Sequence, residues 1–245
     1  MFQYAACLAQ ARRLGVGLRL ATGWYDTRPE FKYALRQWAG VGEEGVDEVP
    51  IPTVEELWPT YEPGLGGRVG DGAAIAGYWQ DERYFLGLRR ELLAAFRPRS
   101  LTGRAVATAR LIGAEGGRSV ALSVRRGKDY RELGFVLPTR YYELGCAMVA
   151  GAVADPCLFV FSDEPEWCAG NLRLPPYRMH VVAPREEPGT ECEDLWLMSL
   201  CRHGVLANSS FSWWGAWLNP DPGVMAVPGF PNPAPPGWTP VGGWQ

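Results

Sequence analysis

Residues 123–130 read SVRRGKDY. Two adjacent arginines, Arg125 and Arg126, follow directly on the apolar run SVALSV at 119–124, which has the composition of a buried strand. If that strand lies in a parallel sheet, the pair stands at its carboxyl end, where such sheets bind ligands. A guanidinium fork matches phosphate oxygens and keeps its charge in a dry site. Two in succession can hold a diphosphate leaving group without a metal. The competing reading is a solvated turn with one surface ion pair. A second polar knot, ANSSFSWWGAWLN at 207–219, sets Asn208, Ser209, Ser210 and Ser212 against Trp213, Trp214 and Trp217. GVLA at 204–207 reads as a strand and the tryptophan run as a helix, so Ser209, Ser210 and Phe211 fall where helix N–H groups bind anions. The hydroxyls add donors. The competing reading makes Asn208 or Ser209 the N-cap of a buried helix. Glu193 and Asp194 open a third helical pattern. A carboxylate there favours the helix dipole, or reads the donor edge of a guanine. Spacing leaves both open.

The elements that must position these residues are clearest in the second half. Strands are expected at 119–124, 157–161, 179–182, 204–207 and 224–227, and helices at 138–149 and 193–202. A further helix starts at Asp163, three residues before Glu166 as in a capping box. This alternation predicts a parallel sheet covered by helices on both faces. In the first half a helix is expected over 1–14, a strand over 16–21, and a helix through Phe85, Leu88, Leu92 and Phe96. Residues 97–118 read as a linker, giving domains 1–110 and 111–245. The proline-rich tail PGFPNPAPPGW reads as irregular.

The bulk composition narrows the partners. The chain has 245 residues, 47% hydrophobic and 21% charged, enough for a sizeable core. A net charge of −3 argues against nucleic acid or an anionic membrane as the main partner. The 6 cysteines lack C-x-x-C spacing and read as reduced thiols of a cytoplasmic protein. With only His180 and His203, a histidine-rich metal site or a Ser-His-Asp triad is disfavoured. No apolar run reaches the roughly 20 residues of a membrane span. Gly15-Val16-Gly17 lacks the third glycine of a dinucleotide fingerprint, and GGRVGDG at 66–72 lacks the Gly-Lys-Ser/Thr of a phosphate loop.

Taken in order, these motifs resemble those of glycosyltransferase family 11, the α-1,2-fucosyltransferases of bacteria and their relatives. MFQYA at 1–5, GYWQDERYF at 77–85, SVRRGKDY, FVFSDEPEWC at 159–168 and EDLWLMSLCRHGVLANSSFSWWGAWLN at 193–219 all take part. The resemblance implies an α/β fold of GT-B type, two Rossmann-like domains facing a cleft. The N-terminal domain would hold the acceptor and the C-terminal domain GDP-fucose. The implied chemistry is inverting, metal-independent and cofactor-free transfer of L-fucose from GDP-fucose to a glycan acceptor. Carried onto this sequence, Arg125, Arg126 and Asp129 form the catalytic set, with Asp129 as a weak candidate base and Glu82 a weaker one. Ser123, Asp163, Asp194, Asn208, Ser209, Ser210, Phe211 and Ser212 form the substrate-binding set. Ser123 stands where the family usually has histidine, and Lys128 is inserted before Asp129. The family's first strand and Gly-Asn-Gln turn would precede Met1, so the frame is expected to be truncated or to start at an internal methionine. A truncated GDP-sugar-binding protein with little turnover is the alternative. The expected location is cytoplasmic, with peripheral attachment to the inner membrane as the variant.

Overall fold

The amphipathic run FQYAACLAQARRL folds as helix α1 (Phe2–Leu14), burying Phe2, Tyr4, Ala5, Ala6, Leu8 and Ala11. In this computed structural model residues 1–28, 32–42, 45–46, 52–57, 60–174, 176–185, 187–229 and 233–244 are described. Residues 230–232 of the expected irregular tail lie outside them. Two compact units divide the chain, Met1–Arg99 and Ser100–Gln245.

Besides α1, the first unit holds β1 (Leu20–Ala21), α2 (Gly23–Asp26), β2 (Gly45–Val46), β3 (Thr53–Glu55), α3 (Leu65–Arg68), β4 (Ala74–Ala76) and α4 (Arg89–Ala95). Its strands form two separate parallel pairs, β1 with β2 and β3 with β4. Of the strand expected over 16–21, only the last two residues pair. The helix expected through Phe85 begins only at Arg89. Two 3₁₀ turns precede it, and Gly87 lowers helix propensity in the second of them.

The second unit is the parallel α/β sheet that the alternation predicts. Its elements are α5 (Gly103–Glu115), β5 (Ser119–Val124), α6 (Lys128–Glu132), α7 (Thr139–Ala150), β6 (Cys157–Ser162), α8 (Pro165–Asn171), β7 (Arg178–Val181), α9 (Glu191–Leu200), β8 (His203–Val205), α10 (Ser210–Trp217), β9 (Met225–Val227) and β10 (Thr239–Pro240). The strand order is β10-β9-β8-β5-β6-β7, with every neighbouring pair parallel. The alternation of side chains along β5 feeds two cores. Val120, Leu122 and Val124 pack with Tyr141, Tyr142, Cys146 and Cys168 on one face. Ala121 joins Cys157, Phe159, Leu197, Met198 and Cys201 on the other. All six cysteines are free, and all but Cys7 are buried.

Most of the expected linker at 97–118 is helix α5. The reason is a long-range cap. Thr102 Oγ1 accepts from Ala105 N at 3.3 Å, and the Glu193 carboxylate accepts from Thr102 N at 2.6 Å and its hydroxyl at 2.9 Å. Glu193 is 1% exposed, so it closes a helix start remote in sequence. Among the described residues no helix is long and apolar enough to cross a membrane.

Candidate functional site

Strand β5 lies between β8 and β6, and the chain runs outward from it to β7 before returning to β8 on the other side. This reversal of strand order is the point at which open parallel sheets bind ligands, outside the carboxyl ends. Two loops leave the sheet there. The SVRRGKDY turn follows β5, and the Asn208–Ser210 turn follows β8.

The arginine turn is built from behind by Asp163, at the end of β6. Its carboxylate accepts from Arg126 N at 2.9 Å and Gly127 N at 2.7 Å, and pairs with Arg125 Nη1 at 3.0 Å. The capping box expected at Asp163 therefore does not form. Helix α8 has Glu164 at its N-cap without a side-chain cap, because the aspartate serves the neighbouring turn instead. Gly127 is required by the approach. A Cβ there would sit 2.6 Å from Asp163 Oδ2 and 2.9 Å from Asp129 Oδ1.

Both guanidinium groups are partly exposed and fixed from the side. Arg125 Nη2 donates to Asp129 Oδ2 at 2.7 Å, and its guanidinium carbon lies 4.9 Å from the centre of the Tyr130 ring. Arg126 lies 3.5 Å over the Trp167 ring, with Glu164 at 3.9 Å from Nε. Arg131 pairs with Glu164 as well. The hydrogen bond from Arg125 holds the Asp129 carboxyl below the usual carboxylate range. That makes Asp129 a weaker proton acceptor and suits it to orienting Arg125.

The serine turn behaves differently. Ser209 is the N-cap of α10, accepting from Phe211 N at 3.2 Å. Ser123 and Ser212 share a 2.6 Å hydrogen bond between β5 and α10. They are 6% and 1% exposed, so the bridge is buried within the protein. Asn208 is buried and donates to Phe135 O at 2.8 Å. Tyr130 OH donates to Asn208 O at 3.0 Å, joining the two turns. Phe211 packs against the core, and Ser210 is exposed at the helix start. The tryptophans behind them are buried and mutually packed, Trp213 against Trp217 at 5.9 Å and Trp214 against Trp217 at 5.1 Å. Gly215 lets α10 press onto α9, since a Cβ there would lie 2.9 Å from Met198 Cβ.

Asp194 stands on α9 beside Glu193 and shares Arg104 with it. It lines a cavity of about 320 Å³ together with Phe161, Ser162, Asp163 and Arg185. Arg104 Nη1 lies 2.8 Å from its Oδ1 and Arg185 Nη1 2.5 Å from its Oδ2. The structure thus brings Arg125, Arg126, Asp129, Asp163 and the serine turn to one end of the sheet, and Asp194 shares a cavity wall with Asp163. Sequence reasoning passed over Arg104, Trp167 and Arg185. No local spacing signals them, since each meets its partner through the tertiary fold.

Comparison with known proteins adds a separate line. The sequence model of glycosyl transferase family 11 matches residues 74–232. An alpha-1,2-colitosyltransferase of Escherichia coli is 32% identical over 180 residues, covering 69% of this chain and 59% of that protein. The O-antigen biosynthesis glycosyltransferase WbnK of Escherichia coli is 35% identical over 115 residues, covering 43% of this chain and 36% of that protein. The chain therefore spans only part of the length of these relatives. Among solved structures, a NodZ alpha-1,6-fucosyltransferase soaked with GDP-fucose superposes with a TM-score of 0.49 at 14% identity, covering 89% of this chain and 88% of that chain.

Proposed function

We propose, since this chain belongs to glycosyl transferase family 11, that it transfers L-fucose from GDP-fucose to a sugar hydroxyl, α-1,2 to galactose, with inversion. The observation that carries the reading is the arginine turn at the switch point of the sheet, with the Asp163–Asp194 cavity beside it. In the transfer the bond from the anomeric carbon to the diphosphate breaks and one to the acceptor oxygen forms. The acceptor hydroxyl's proton passes to water, and GDP leaves as the diphosphate anion. As the first bond lengthens, positive charge spreads over the sugar ring and negative charge grows on the diphosphate. Arg125 and Arg126 meet that growing charge, so they favour the transition state over the ground state. Asp163 and Asp129 aim them. The exposed Ser210 and the N–H groups of the α10 start add neutral donors on the same side. Asp194 offers a carboxylate to the N–H edge of guanine.

Calorimetry with GDP-fucose, paired with a GDP-release assay over a panel of galactose-terminated acceptors, tests this. Binding plus acceptor-dependent release is expected. Binding without release would leave a donor-binding protein, and no affinity for GDP would overturn the reading. Replacing GDP-fucose by the corresponding colitose donor separates fucose from the sugar named for the Escherichia coli colitosyltransferase. Two arginines supply the counter-charge, so full turnover is expected in EDTA, and a strict divalent-cation requirement would count against the mechanism.

A further inference from the structure

We infer that Arg185 is an internal competitor for the nucleotide base: it holds the Asp194 oxygen that a guanine edge needs, and the base must displace it. The inference rests on the GDP reading above.

Three observations carry it. Arg185 and Asp194 line the same cavity from different elements, the loop after β7 and the first turn of α9. Their contact is close, with Arg185 Nη1 donating to Asp194 Oδ2 at 2.5 Å. The two arginines on this carboxylate are not equivalent. The Arg104 side chain is 9% exposed and also donates to Glu193 at 3.0 Å, so it is a fixed counter-ion. The Arg185 side chain is 35% exposed and lies beside Pro184 on the loop, so it can swing outward without opening the core.

The carboxylate is also imperfectly served. Arg104 lies close to Oδ1 yet off the hydrogen-bonding direction, and Oδ1 is buried with no aligned donor. Guanine carries two adjacent donors, the ring N–H and the exocyclic amine. With Arg185 turned away, a small rotation of the carboxylate would give each oxygen a donor. A buried acceptor that gains a partner is a real gain. Adenine has no such donor pair and has no cause to evict Arg185. The pair is open to solvent on the Arg185 side only, 35% exposed against 13% for Asp194, and its competition should lower guanine-nucleotide affinity by about two- to fivefold, equivalent to about 0.4–1 kcal/mol.

The test is calorimetric titration of GDP and ADP into the wild-type chain, Arg185→Ala and Asp194→Asn, with thermal unfolding of each to confirm the fold. Arg185→Ala should bind GDP about two- to fivefold more tightly, with ADP unchanged. Asp194→Asn should lose most of the preference for GDP over ADP. Wild-type GDP binding with an Arg185→Ala affinity that is equal or weaker would overturn the competitor role while leaving the GDP reading standing. Absence of GDP binding to a folded wild-type chain would overturn both.

Discussion

The turn after β5 and the turn after β8 leave the same edge of one sheet and use their polar residues in opposite ways. In the first, two long cations stay partly exposed and are gripped from behind by carboxylates, Asp163 on the backbone and Asp129 on the guanidinium. In the second, short hydroxyls and the amide nitrogen of Asn208 are taken up by the protein itself, in a cap, in the Ser123–Ser212 bridge and in the bond to Phe135. Both stretches look like anion sites when read as strings of residues. Reach decides between them. An arginine extends beyond its backbone's hydrogen-bonding shell, whereas a serine rarely does. Charge therefore sits on the β5 side, and the β8 side acts as scaffold plus one exposed hydroxyl, Ser210.

That contrast can be broken most sharply at Arg125. Arg125→Ala should lower turnover about 10²–10³-fold, the range for removing one pre-aimed donor to transition-state charge. Its unfolding midpoint in urea should stay near that of the wild type, since this side chain makes surface contacts. Turnover like the wild type's would refute the division. A smaller loss is expected for Asp163→Asn. The amide keeps one acceptor oxygen and loses the charge, weakening all three contacts to the turn, so kcat should drop at least roughly tenfold, equivalent to about 1.4 kcal/mol. An effect confined to KM would instead place Asp163 on the substrate.

On the β8 side the order reverses. Ser212→Ala should cost about 1–3 kcal/mol of stability by stranding the buried Ser123 hydroxyl, with kcat/KM altered less than about twofold. A large catalytic loss without a stability loss would return the serine pair to the ligand side. The mildest effect belongs to His203 at the start of β8. Its Nδ1 accepts from Val224 N at 2.9 Å, which leaves Nε2 to donate to Gly117 O at 3.0 Å. Burial, ahead of the other causes, pushes the imidazole below its ordinary value of 6.5. The unfolded chain thus takes the proton first. Its contribution to stability should be complete above about pH 6.5 and fade as pH falls through the lower folded value. A urea midpoint in His203→Gln with the same slope against pH as the wild type would assign the acid sensitivity elsewhere.

Much of the second unit was legible because its period and its chemistry agree. Short buried runs such as SVALSV and CLFVF, alternating with helical patterns, admit few other arrangements, and β5 and β6 match to within a residue. The arginine turn was legible for the same reason, standing at the foot of a strand. The capping box at Asp163 fails because it is a local pattern, whereas the partners of Asp163 are Arg126 and Gly127, in the turn after the neighbouring strand. The stretch 97–118 was misread because the cap of α5 comes partly from Glu193, far along the chain. Ser123 and Ser212 carry no mark of facing one another. In the first unit, strands of two or three residues with glycine and proline between them leave too short a period to read.

The free thiols distributed through both faces of the sheet have a practical consequence. Burial pushes Cys146 and Cys192 up to about 12, and raises Cys157, Cys168 and Cys201 as well. A thiol reacts through its thiolate and only when reached. Alkylation of these five can then proceed only when the layers part. The rate at which a mass spectrometer sees each one labelled becomes a clock for the opening of the sheet that holds the arginine turn, with the chain's own sulfur atoms as its hands.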